Sequence, residues 1–324
     1  MNAIRKPQDV VTKKTLTALI YGQPAIGKTT LACGADNAVL LDFDGGVSRI
    51  NAQHVIDTLQ VESWQDVIDN SQELLGYSTI IVDTVGKMLD CIGRHICTEN
   101  PKYAMGDGSL TLKGYGARKT KFVQFTQWLN CSGKNVIYLA HEKEEKQKVL
   151  GDEVTTKRPD IGNGASQELM KDMDLVGYMQ AIGSSRTITF DCTEQYYAKN
   201  TCNLHGQWNE VGKMYLPIPI PTIIDANGSV TEGNDFIKSV IDAYVKLQEC
   251  KDEKRSQYIE LTKNIADEVE NSTNAEDLNR LMAMYTDEVF EHIYDSKRYA
   301  SMMINSKAKK LNLNYNKESK CYEV

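Results

Sequence analysis

The sequence predicts an α/β fold, in which a mainly parallel sheet is flanked by helices and followed by a small C-terminal helical region. Short apolar runs, each about as long as a buried strand, alternate with longer amphipathic segments from Leu16 to about Ile224. Strands separated by helices form parallel sheets that are covered on both faces. A change of composition after residue 224 is the third observation, because beyond it the apolar residues follow helical spacing.

Four runs rich in Val, Ile, Leu or Tyr are the predicted core strands: LTALIYG, NAVLLDFD, STIIVDTV and NVIYLAH. The segment ARKTKFVQFTQWLN predicts a helix, since Phe122, Phe125, Trp128 and Leu129 recur at three- and four-residue spacing. The later runs DLVGYMQAI, RTITFDC and QYYAKN are closely spaced and partly alternating. They predict added antiparallel strands.

Composition divides the chain into four parts. Residues 1–15 are a basic N-terminal arm, and residues 16–224 are the core. Residues 225–235, DANGSVTEGND, are rich in turn formers and predict a linker. Residues 236–324 have a helical pattern, and we expect either a small bundle packed on the core or a protein-interaction module. The polar end, from SKAKKLNLNYNKESK onward, is expected to be frayed.

The overall composition is that of an ordinary soluble globular protein, with 41% hydrophobic and 25% charged residues. No apolar run approaches the roughly 18 residues of a membrane span, and the N-terminus lacks the apolar core of a secretory signal. We therefore expect a cytoplasmic location and no membrane partner. Eight cysteines without a CxxC pair argue against a zinc module. The net charge of −7 argues against wholesale nonspecific nucleic-acid binding but leaves room for a local basic groove.

The strongest motif follows the first predicted strand and matches GxxxxGK[ST] between a strand and a helical start. This phosphate loop consists of Gly22, Gln23, Pro24, Ala25, Ile26, Gly27, Lys28, Thr29 and Thr30. The two glycines let successive backbone N–H groups point at phosphate oxygens, and the following helix adds its N-terminal partial charge. Lys28 would reach the terminal phosphates, and the Thr29 hydroxyl would hold Mg²⁺. The loop therefore predicts a nucleoside triphosphate site.

Carboxylates at the ends of two further strands support this prediction. In STIIVDTV, Asp83 stands at the end of the apolar strand. This is the position at which P-loop proteins place a second carboxylate that contacts the magnesium shell. Asp42 and Asp44 leave another strand at the same carboxyl edge, where a carboxylate can align a water against the terminal phosphate. Alternatively, both cap the following turn, with Gly45 and Gly46 supplying positive φ. We expect Asp44 to be the catalytic group and Asp42 its supporting neighbour or a magnesium-shell group.

This order of motifs resembles the RecA-type recombinase core over roughly residues 16–210. In particular, it is similar to the phage-encoded RecA-like nucleotide-binding proteins grouped with Sak-type single-strand annealing ATPases. The resemblance implies ATP and Mg²⁺ as cofactors. In RecA-like cores an apolar strand ending in Asp-x-Glu supplies the catalytic glutamate, and Asp42-Phe43-Asp44 matches that pattern with Asp in place of Glu. The shorter side chain of Asp44 implies slower hydrolysis.

The resemblance also implies two loops that contact single-stranded DNA. The first, residues 99–121, has glycines for movement, basic residues for phosphates and tyrosines that could stack on bases. Its candidate DNA-binding residues are Lys113, Tyr115, Arg118 and Lys119. The alternative is an ordinary solvated surface loop. The second, residues 145–172, is polar with a glycine cluster, and its candidates are Lys157 and Arg158.

Three further residues are implied to act in catalysis. His141 and Glu142 end a strand where RecA-like proteins place a polar sensor of the γ-phosphate, although the histidine could simply cap the strand. Lys199 matches a stretch that RecA-like protomers project into the neighbour's ATP site, where a cation neutralises developing charge. A lysine acting in trans requires a head-to-tail homo-oligomer, either a ring or a filament. A single-strand-binding protein is a further candidate partner.

Three functions therefore compete. The first, which the sequence favours, is an ATPase that acts on single-stranded DNA in phage recombination, annealing or replication. The second is a P-loop small-molecule phosphotransferase, but such kinases close an Arg-rich lid, and the arginines here are scattered. Examples are Arg94, Arg118, Arg158 and Arg186. The third is a non-hydrolysing, nucleotide-dependent assembly switch, in which Asp44 merely caps a turn.

Overall fold

The computed structural model describes residue 10 and residues 12–149, 152–183, 185–224, 228–229, 233–287 and 289–323. The chain forms two compact units. The larger is Lys14–Lys246, and the smaller contains Leu247–Val324 with the described residues before Lys14. Most of the predicted arm (1–15) and six residues of the predicted linker (225–235) lie outside the described residues. The borders between the four predicted parts therefore stay predictions.

The larger unit is built on a ten-stranded sheet, and it also contains a separate two-stranded hairpin. The sheet strands are β1 (Thr17–Gly22), β2 (Ala38–Asp42), β3 (Asp57–Gln60), β4 (Thr79–Asp83), β5 (Asn135–Val149), β6 (Asp152–Pro159), β7 (Leu175–Ile182), β8 (Ser185–Thr189), β9 (Lys199–Asn200) and β12 (Ile218–Ile220). The hairpin is β10 (Trp208–Asn209) with β11 (Met214–Tyr215). The sheet order is β12-β8-β7-β1-β5-β4-β2-β3, with β6 paired to β5 and β9 to β7.

Six adjacent strands, from β7 to β3 in that order, run parallel, which confirms the predicted mainly parallel sheet. Every residue of β1, β2 and β4 is buried. Strands that are covered on both faces need apolar residues on both, so their sequences are nearly continuous apolar runs. The carboxyl ends of β1, β2, β4 and β5 consequently meet at one edge of the sheet.

The predicted added strands are partly corrected. β8 and β9 pair antiparallel with β7, as expected, but β7 itself runs parallel to β1. The reason is α6 (Asn163–Asp172), which follows β6 and carries the chain to the side of β1 opposite β5, where β7 lies. A helical crossover returns the next strand in the parallel sense. The second predicted DNA loop is also ordered, because much of it forms the β5–β6 hairpin.

Helices cover the parallel strands. They are α1 (Lys28–Ala32), α2 (Trp64–Asp69), α3 (Ser71–Leu74), α4 (Val85–Glu99) and α5 (Leu112–Asn130). α4 buries Val85, Met88, Leu89, Ile92 and Ile96, whose three- and four-residue spacing places them on the face that packs into the core. α5 contains the predicted helix but begins earlier, so the second half of the predicted loop 99–121 is helical.

The smaller unit contains most of α7 (Phe236–Asn271), which begins in the larger unit, together with α8 (Ala275–Thr286) and α9 (Ser296–Lys310). Its core includes Ile265, Leu278 and Ile304. The chain end differs from the frayed segment expected, because β13 (Asn314–Asn316) and β14 (Cys321–Glu323) form a hairpin. The backbone N–H of Tyr322 donates to the side chain of Asn279 at 2.6 Å, which ties this hairpin to α8. Within the described part of the chain, no helix is both long and apolar enough to cross a membrane.

Candidate functional site

The phosphate loop joins β1 to α1 and follows the geometry its glycines predict. Gly27 has φ 99°, a left-handed conformation that side chains other than glycine rarely adopt. Gly22 is required for a different reason, because a Cβ there would lie 2.3 Å from the carbonyl oxygen of Met179. α1 has only five residues. The loop's own N–H groups and Lys28, rather than a long helix dipole, therefore supply most of the attraction for an anion.

Lys28 is buried and folded back on the loop. Its ammonium group donates hydrogen bonds to the carbonyl oxygens of Gly22 at 3.0 Å and Gln23 at 2.8 Å. Burial lowers the pKa of Lys28 to about 8, although nearby carboxylates, Asp83 foremost, oppose that shift. A phosphate oxygen would be a stronger partner than a carbonyl, because charge-assisted hydrogen bonds are roughly twice as strong as neutral ones. The loop thus positions the ammonium group of Lys28 to bind an anion.

Asp83 lies beside the loop at the end of β4. The hydroxyl of Thr29 donates to its Oδ2 at 2.6 Å. Burial raises the pKa of the Asp83 carboxyl, and the hydrogen bond from Thr29 opposes that shift. Two oxygen ligands predicted for magnesium are therefore in direct contact, and a cation between them would favour the ionised form of Asp83.

This pair fits Mg²⁺ held jointly with phosphate. Among the described residues, no cluster of three or more His, Cys, Asp or Glu side chains could hold a metal by itself. Magnesium in phosphate-handling enzymes is typically bound by one or two carboxylates, waters and the phosphates themselves. One hydroxyl from Thr29 and one carboxylate from Asp83 would supply the protein's part of that shell.

Asp42 takes the turn-capping role, whereas the catalytic role expected of Asp44 stays a prediction. Asp42 is buried, and its carboxylate accepts the backbone N–H groups of Asp44 at 3.1 Å, Gly46 at 3.0 Å and Val47 at 3.0 Å. It therefore caps the turn, in which Gly45 has φ 66°. Since both of its oxygens are committed to the turn, Asp42 is a supporting neighbour of Asp44.

Asp44 remains available to a ligand. Its side chain is 23% exposed, and its closest cationic contact is the exposed Arg49, at 3.8 Å. Its negative charge acts on three groups of the site: Lys28, Asp83 and His141. The turn built by Asp42 thus presents Asp44 toward the phosphate-loop edge.

His141 and Glu142 reach the same edge because β5 lies between β1 and β4. His141 is paired in register with Gly22. Burial, followed by the charge of Lys28, lowers the pKa of His141. The Nδ1 of His141 and the Oε2 of Glu142 are buried and have no hydrogen-bond partner in the described structure. Buried polar atoms are normally paired. Two unpaired ones beside the phosphate loop indicate where a polar ligand or water would bind.

The predicted DNA residues of the second loop have other partners. The Lys157 ammonium donates to Glu142 Oε1 at 3.2 Å and lies 5.8 Å from the ring centroid of Tyr178. Arg158 forms an ion pair with Glu145 at 3.2 Å. Both cations are in strand β6 rather than in a loop. Lys157 therefore supports the nucleotide-side carboxylate Glu142, which its sequence context did not indicate.

The candidates of the first loop lie on α5. Tyr115 is 49% exposed, and the Arg118 guanidinium lies 5.0 Å from its ring centroid. Lys119 is paired with Glu168 at 3.3 Å, whereas Lys113 is exposed. Tyr115, Arg118 and Lys119 share a helical face because they are three and four residues apart.

Lys199 lies in β9, where its ammonium donates to the carbonyl oxygens of Met170 at 3.3 Å and Lys171 at 2.8 Å. These are the last carbonyls of α6, which a lysine commonly caps. A role in a neighbour's site would require these bonds to break. That role stays a prediction.

Arg186 is a site residue that sequence reasoning missed. It comes from β8, and its Nε donates to the carbonyl oxygen of Ile26 in the phosphate loop at 2.8 Å. The side-chain amide of Asn234 similarly donates to the carbonyl of Thr30. Neither residue belongs to a motif, and 160 residues separate Arg186 from its partner. No local sequence signal could have identified them.

Comparison with known proteins agrees with this geometry. The family model described as AAA domain matches residues 14–202, more than half of the chain. A search of curated proteins finds no significant match. The matched residues include the phosphate loop, Asp83 and the carboxyl ends of β2 and β5.

Proposed function

The chain belongs to the AAA domain family, a family of P-loop ATPases, and from this premise we propose that it hydrolyses ATP with Mg²⁺ and acts on single-stranded DNA. One observation carries the hydrolysis proposal. Lys28, the Thr29–Asp83 pair, the water-orienting candidate Asp44 and the γ-phosphate sensor candidate Glu142 come from four strand ends yet share one edge of the sheet. A site that only binds a nucleotide would not require Asp44 and Glu142.

Each of these groups has a role in the proposed reaction. The loop N–H groups and Lys28 hold the phosphates, while Thr29 and Asp83 hold the metal. Bound Mg²⁺ would neutralise the charge that develops on the β- and γ-phosphate oxygens. Asp44 orients a water whose oxygen bonds to the γ-phosphorus as the bond to the bridging oxygen breaks. ADP and phosphate leave, and the carboxylate accepts the proton of the water.

The surface around Tyr115 supports the DNA part of the proposal. A half-exposed aromatic ring with a guanidinium over it can stack on a base, and Lys113 can contact phosphate. This surface is close to the nucleotide edge. A Cβ at Gly162 would lie 3.4 Å from the Arg118 guanidinium, and the backbone of Asp160 donates to the His141 carbonyl at 2.7 Å. DNA contacts at α5 could therefore influence His141.

The resemblance to phage-encoded annealing ATPases supports placing this activity in recombination, annealing or replication. The head-to-tail homo-oligomer, with Lys199 acting in a neighbouring site, and the single-strand-binding protein partner belong to the same proposal. They rest on the resemblance rather than on a contact within this chain.

Phosphate release from ATP by the purified chain, with and without single-stranded DNA and Mg²⁺, tests the proposal. We expect hydrolysis that requires Mg²⁺, rises with DNA and falls by about 10³-fold in Lys28→Ala, which removes a charge-stabilising donor. Tyr115→Ala with Arg118→Ala should remove the rise with DNA and leave the basal rate unchanged. The matched control, Arg280→Ala, alters an exposed arginine of α8 and should retain both.

Each other outcome points to one competing function. Hydrolysis that is indifferent to DNA would contradict the DNA proposal and leave a P-loop NTPase or phosphotransferase. ATP binding without turnover would contradict the hydrolysis proposal and favour a nucleotide-dependent assembly switch.

A further inference from the structure

Helix α9 of the smaller unit has a strongly one-sided charge. Its sequence, SKRYASMMINSKAKK, contains five lysines and arginines and no Asp or Glu, in a chain whose net charge is −7. Four of the five basic side chains are exposed, namely Lys297, Arg298, Lys309 and Lys310. α9 therefore presents positive charge to solvent in a chain that is acidic overall.

Most of these exposed cations have no acidic partner. Lys310 lies 3.9 Å from Glu270, and the partly covered Lys307 pairs with the same carboxylate at 3.6 Å. The other three form no ion pair within the part of the chain that the structure describes. Unpaired like charges on one surface repel one another, and binding of a polyanion would replace that repulsion by attraction.

Helix stability does not account for the cations at both ends of α9. The N-terminus of a helix carries partial positive charge, so Lys and Arg are favourable in the last turn and unfavourable in the first. Lys309 and Lys310 follow this rule, whereas Lys297 and Arg298, which come directly after the first residue of the helix, oppose it. A partner that binds along the whole helix would account for both ends.

The exposed face of α9 has the dimensions of a short nucleic-acid contact. Arg298, Met302, Asn305 and Lys309 are exposed and recur at intervals of three and four residues, which places them on one face. Arg298 and Lys309 are separated by about 16 Å along the helix axis, at about 1.5 Å per residue. One strand of DNA carries a phosphate about every 3.4 Å, so the face spans about five phosphates.

An aromatic ring lies beside this face. Tyr315 of β13 is 44% exposed, and its ring centroid lies 5.2 Å from that of Tyr322. The hydroxyl of Tyr322 donates to Oδ1 of Asn305 at 2.6 Å, which ties the two rings to the exposed face of α9. Single-stranded nucleic acids bind surfaces that combine cations for the phosphates with aromatic rings for the bases. Both features are present here.

An anionic membrane fits this helix less well. Amphipathic helices bind membranes by inserting their apolar face between the headgroups. The apolar face of α9, formed by Ala300, Ile304 and Ala308, is buried in the core of the smaller unit with Ile265 and Leu278. Only the polar face of α9 is accessible, and it favours a partner dissolved in water.

We propose that α9 and Tyr315 form a second contact surface for single-stranded nucleic acid, the α9 surface. Its cations, Lys297, Arg298, Lys309 and Lys310, bind phosphates, and Tyr315 stacks on a base. The α9 surface lies outside residues 14–202, which the AAA domain model matches. The inference goes beyond the proposed function, because this binding requires neither ATP nor the residues on α5.

Binding of a fluorescent oligothymidine to the full chain, measured by anisotropy over a series of salt concentrations, tests the proposal. Replacing Lys297, Arg298 and Lys309 together by Gln should weaken binding at least about tenfold. It should also reduce the slope of log K against log salt by about 2, since each cation on a single strand contributes about 0.7. The matched control, which should bind as wild type does, replaces three exposed lysines of α7 by Gln: Lys251, Lys254 and Lys263.

A separate variant tests the role of the ring. Tyr315→Ala should weaken binding of the oligothymidine about tenfold and leave the salt slope unchanged, because it removes base stacking and no charge. Wild-type affinity in Tyr315→Ala would overturn the base contact and leave an attraction for any polyanion. Circular dichroism checks that each variant is folded. If the triple variant does not fold, Tyr315→Ala and the α5 variant described next still decide.

The outcomes separate the α9 surface from the contact proposed on α5. The chain with Tyr115→Ala and Arg118→Ala should still bind the oligothymidine, and complete loss of binding there would overturn the α9 surface while leaving the contact on α5. Wild-type affinity and slope in the triple variant, or an equal loss in the α7 control, would also overturn it. If the wild-type chain binds phosphatidylserine vesicles but no oligothymidine, a membrane replaces nucleic acid and both contacts fail.

Discussion

At the phosphate-loop edge, charged side chains from several strand ends are buried beside one another, and Asp83 and Thr29 are in direct contact. On α5 and on β6, charged side chains are instead partly exposed, and Lys119, Lys157 and Arg158 pair with acidic neighbours. At the edge, the buried Nδ1 of His141 and Oε2 of Glu142 have no hydrogen-bond partner in the described structure, so a polar ligand or water would satisfy them. Paired charges on the surface already satisfy one another.

This difference shows how to weigh the predicted nucleotide site against the predicted DNA-contact residues. Charge near an apolar interior is costly, so it persists where a ligand or metal uses it. A half-exposed ion pair contributes little either way. We therefore rank the edge as the chemical centre and restrict the proposed DNA-contact surface of the larger unit to Lys113, Tyr115 and Arg118.

The largest effect is expected from removing Asp44, the proposed water-orienting carboxylate. Asp44→Asn should lower kcat for ATP hydrolysis by about 10²–10⁴-fold, because an amide cannot accept the proton of the water. The Kd for ATP should change little, since Asp44 does not belong to the phosphate loop. Steady-state kinetics and nucleotide titration measure both. Glu142→Gln is the matched comparison, and a larger loss there than in Asp44→Asn would transfer the role to Glu142.

A smaller effect should appear in the pH dependence of ATP binding. The buried Lys28 has a pKa lowered to about 8 in the free chain, and it must be protonated to attract phosphate. ATP affinity should therefore be constant below pH 8 and fall about tenfold per pH unit above it. Fluorescent-nucleotide titration without Mg²⁺ measures this slope. Lys28→Arg stays charged and should lose the slope, and a flat wild-type profile to pH 9.5 would contradict the prediction.

The lowered pKa of Lys28 also determines how the free energy of unfolding depends on pH. Because the pKa of Lys28 is lowered on folding, the unfolded chain binds more protons between pH 8 and the ordinary lysine value of 10.5. The contribution of Lys28 to the free energy of unfolding therefore rises with pH across this window and is least favourable below it.

The smallest effects should separate Lys157 from Arg158. Lys157→Met leaves Glu142, whose side chain is 11% exposed, without its cation, and should lower the free energy of unfolding by about 1–3 kcal/mol. Arg158→Ala breaks a more exposed pair and should cost less than about 1 kcal/mol. Urea denaturation measures both. Neither should weaken single-stranded DNA binding as much as Tyr115→Ala, and a greater loss in Lys157→Met would restore Lys157 as a DNA contact.

Much of the site could be predicted because its signals are local. Continuous apolar runs predict the two buried strands β1 and β4. The phosphate loop begins where β1 ends, and Asp83 is the last residue of β4. Parallel strands bring their carboxyl ends to one edge, so Asp44 and His141 could be placed there as well. The direction of β7 could not be predicted, because it depends on the crossover through α6 and not on the pattern of the strand itself.

By itself, the sequence determined the parallel core, the phosphate loop and the carboxylates at the sheet edge, since these depend on apolar patterning and on short-range backbone geometry. Only the tertiary structure decided that Lys157 supports Glu142, that Arg186 holds the loop through Ile26, and that Ile220–Ile224 face α1 across a recess. The physical reason is sequence distance. Such contacts form when the sheet brings remote strands together, and no local pattern records which side chains will then meet.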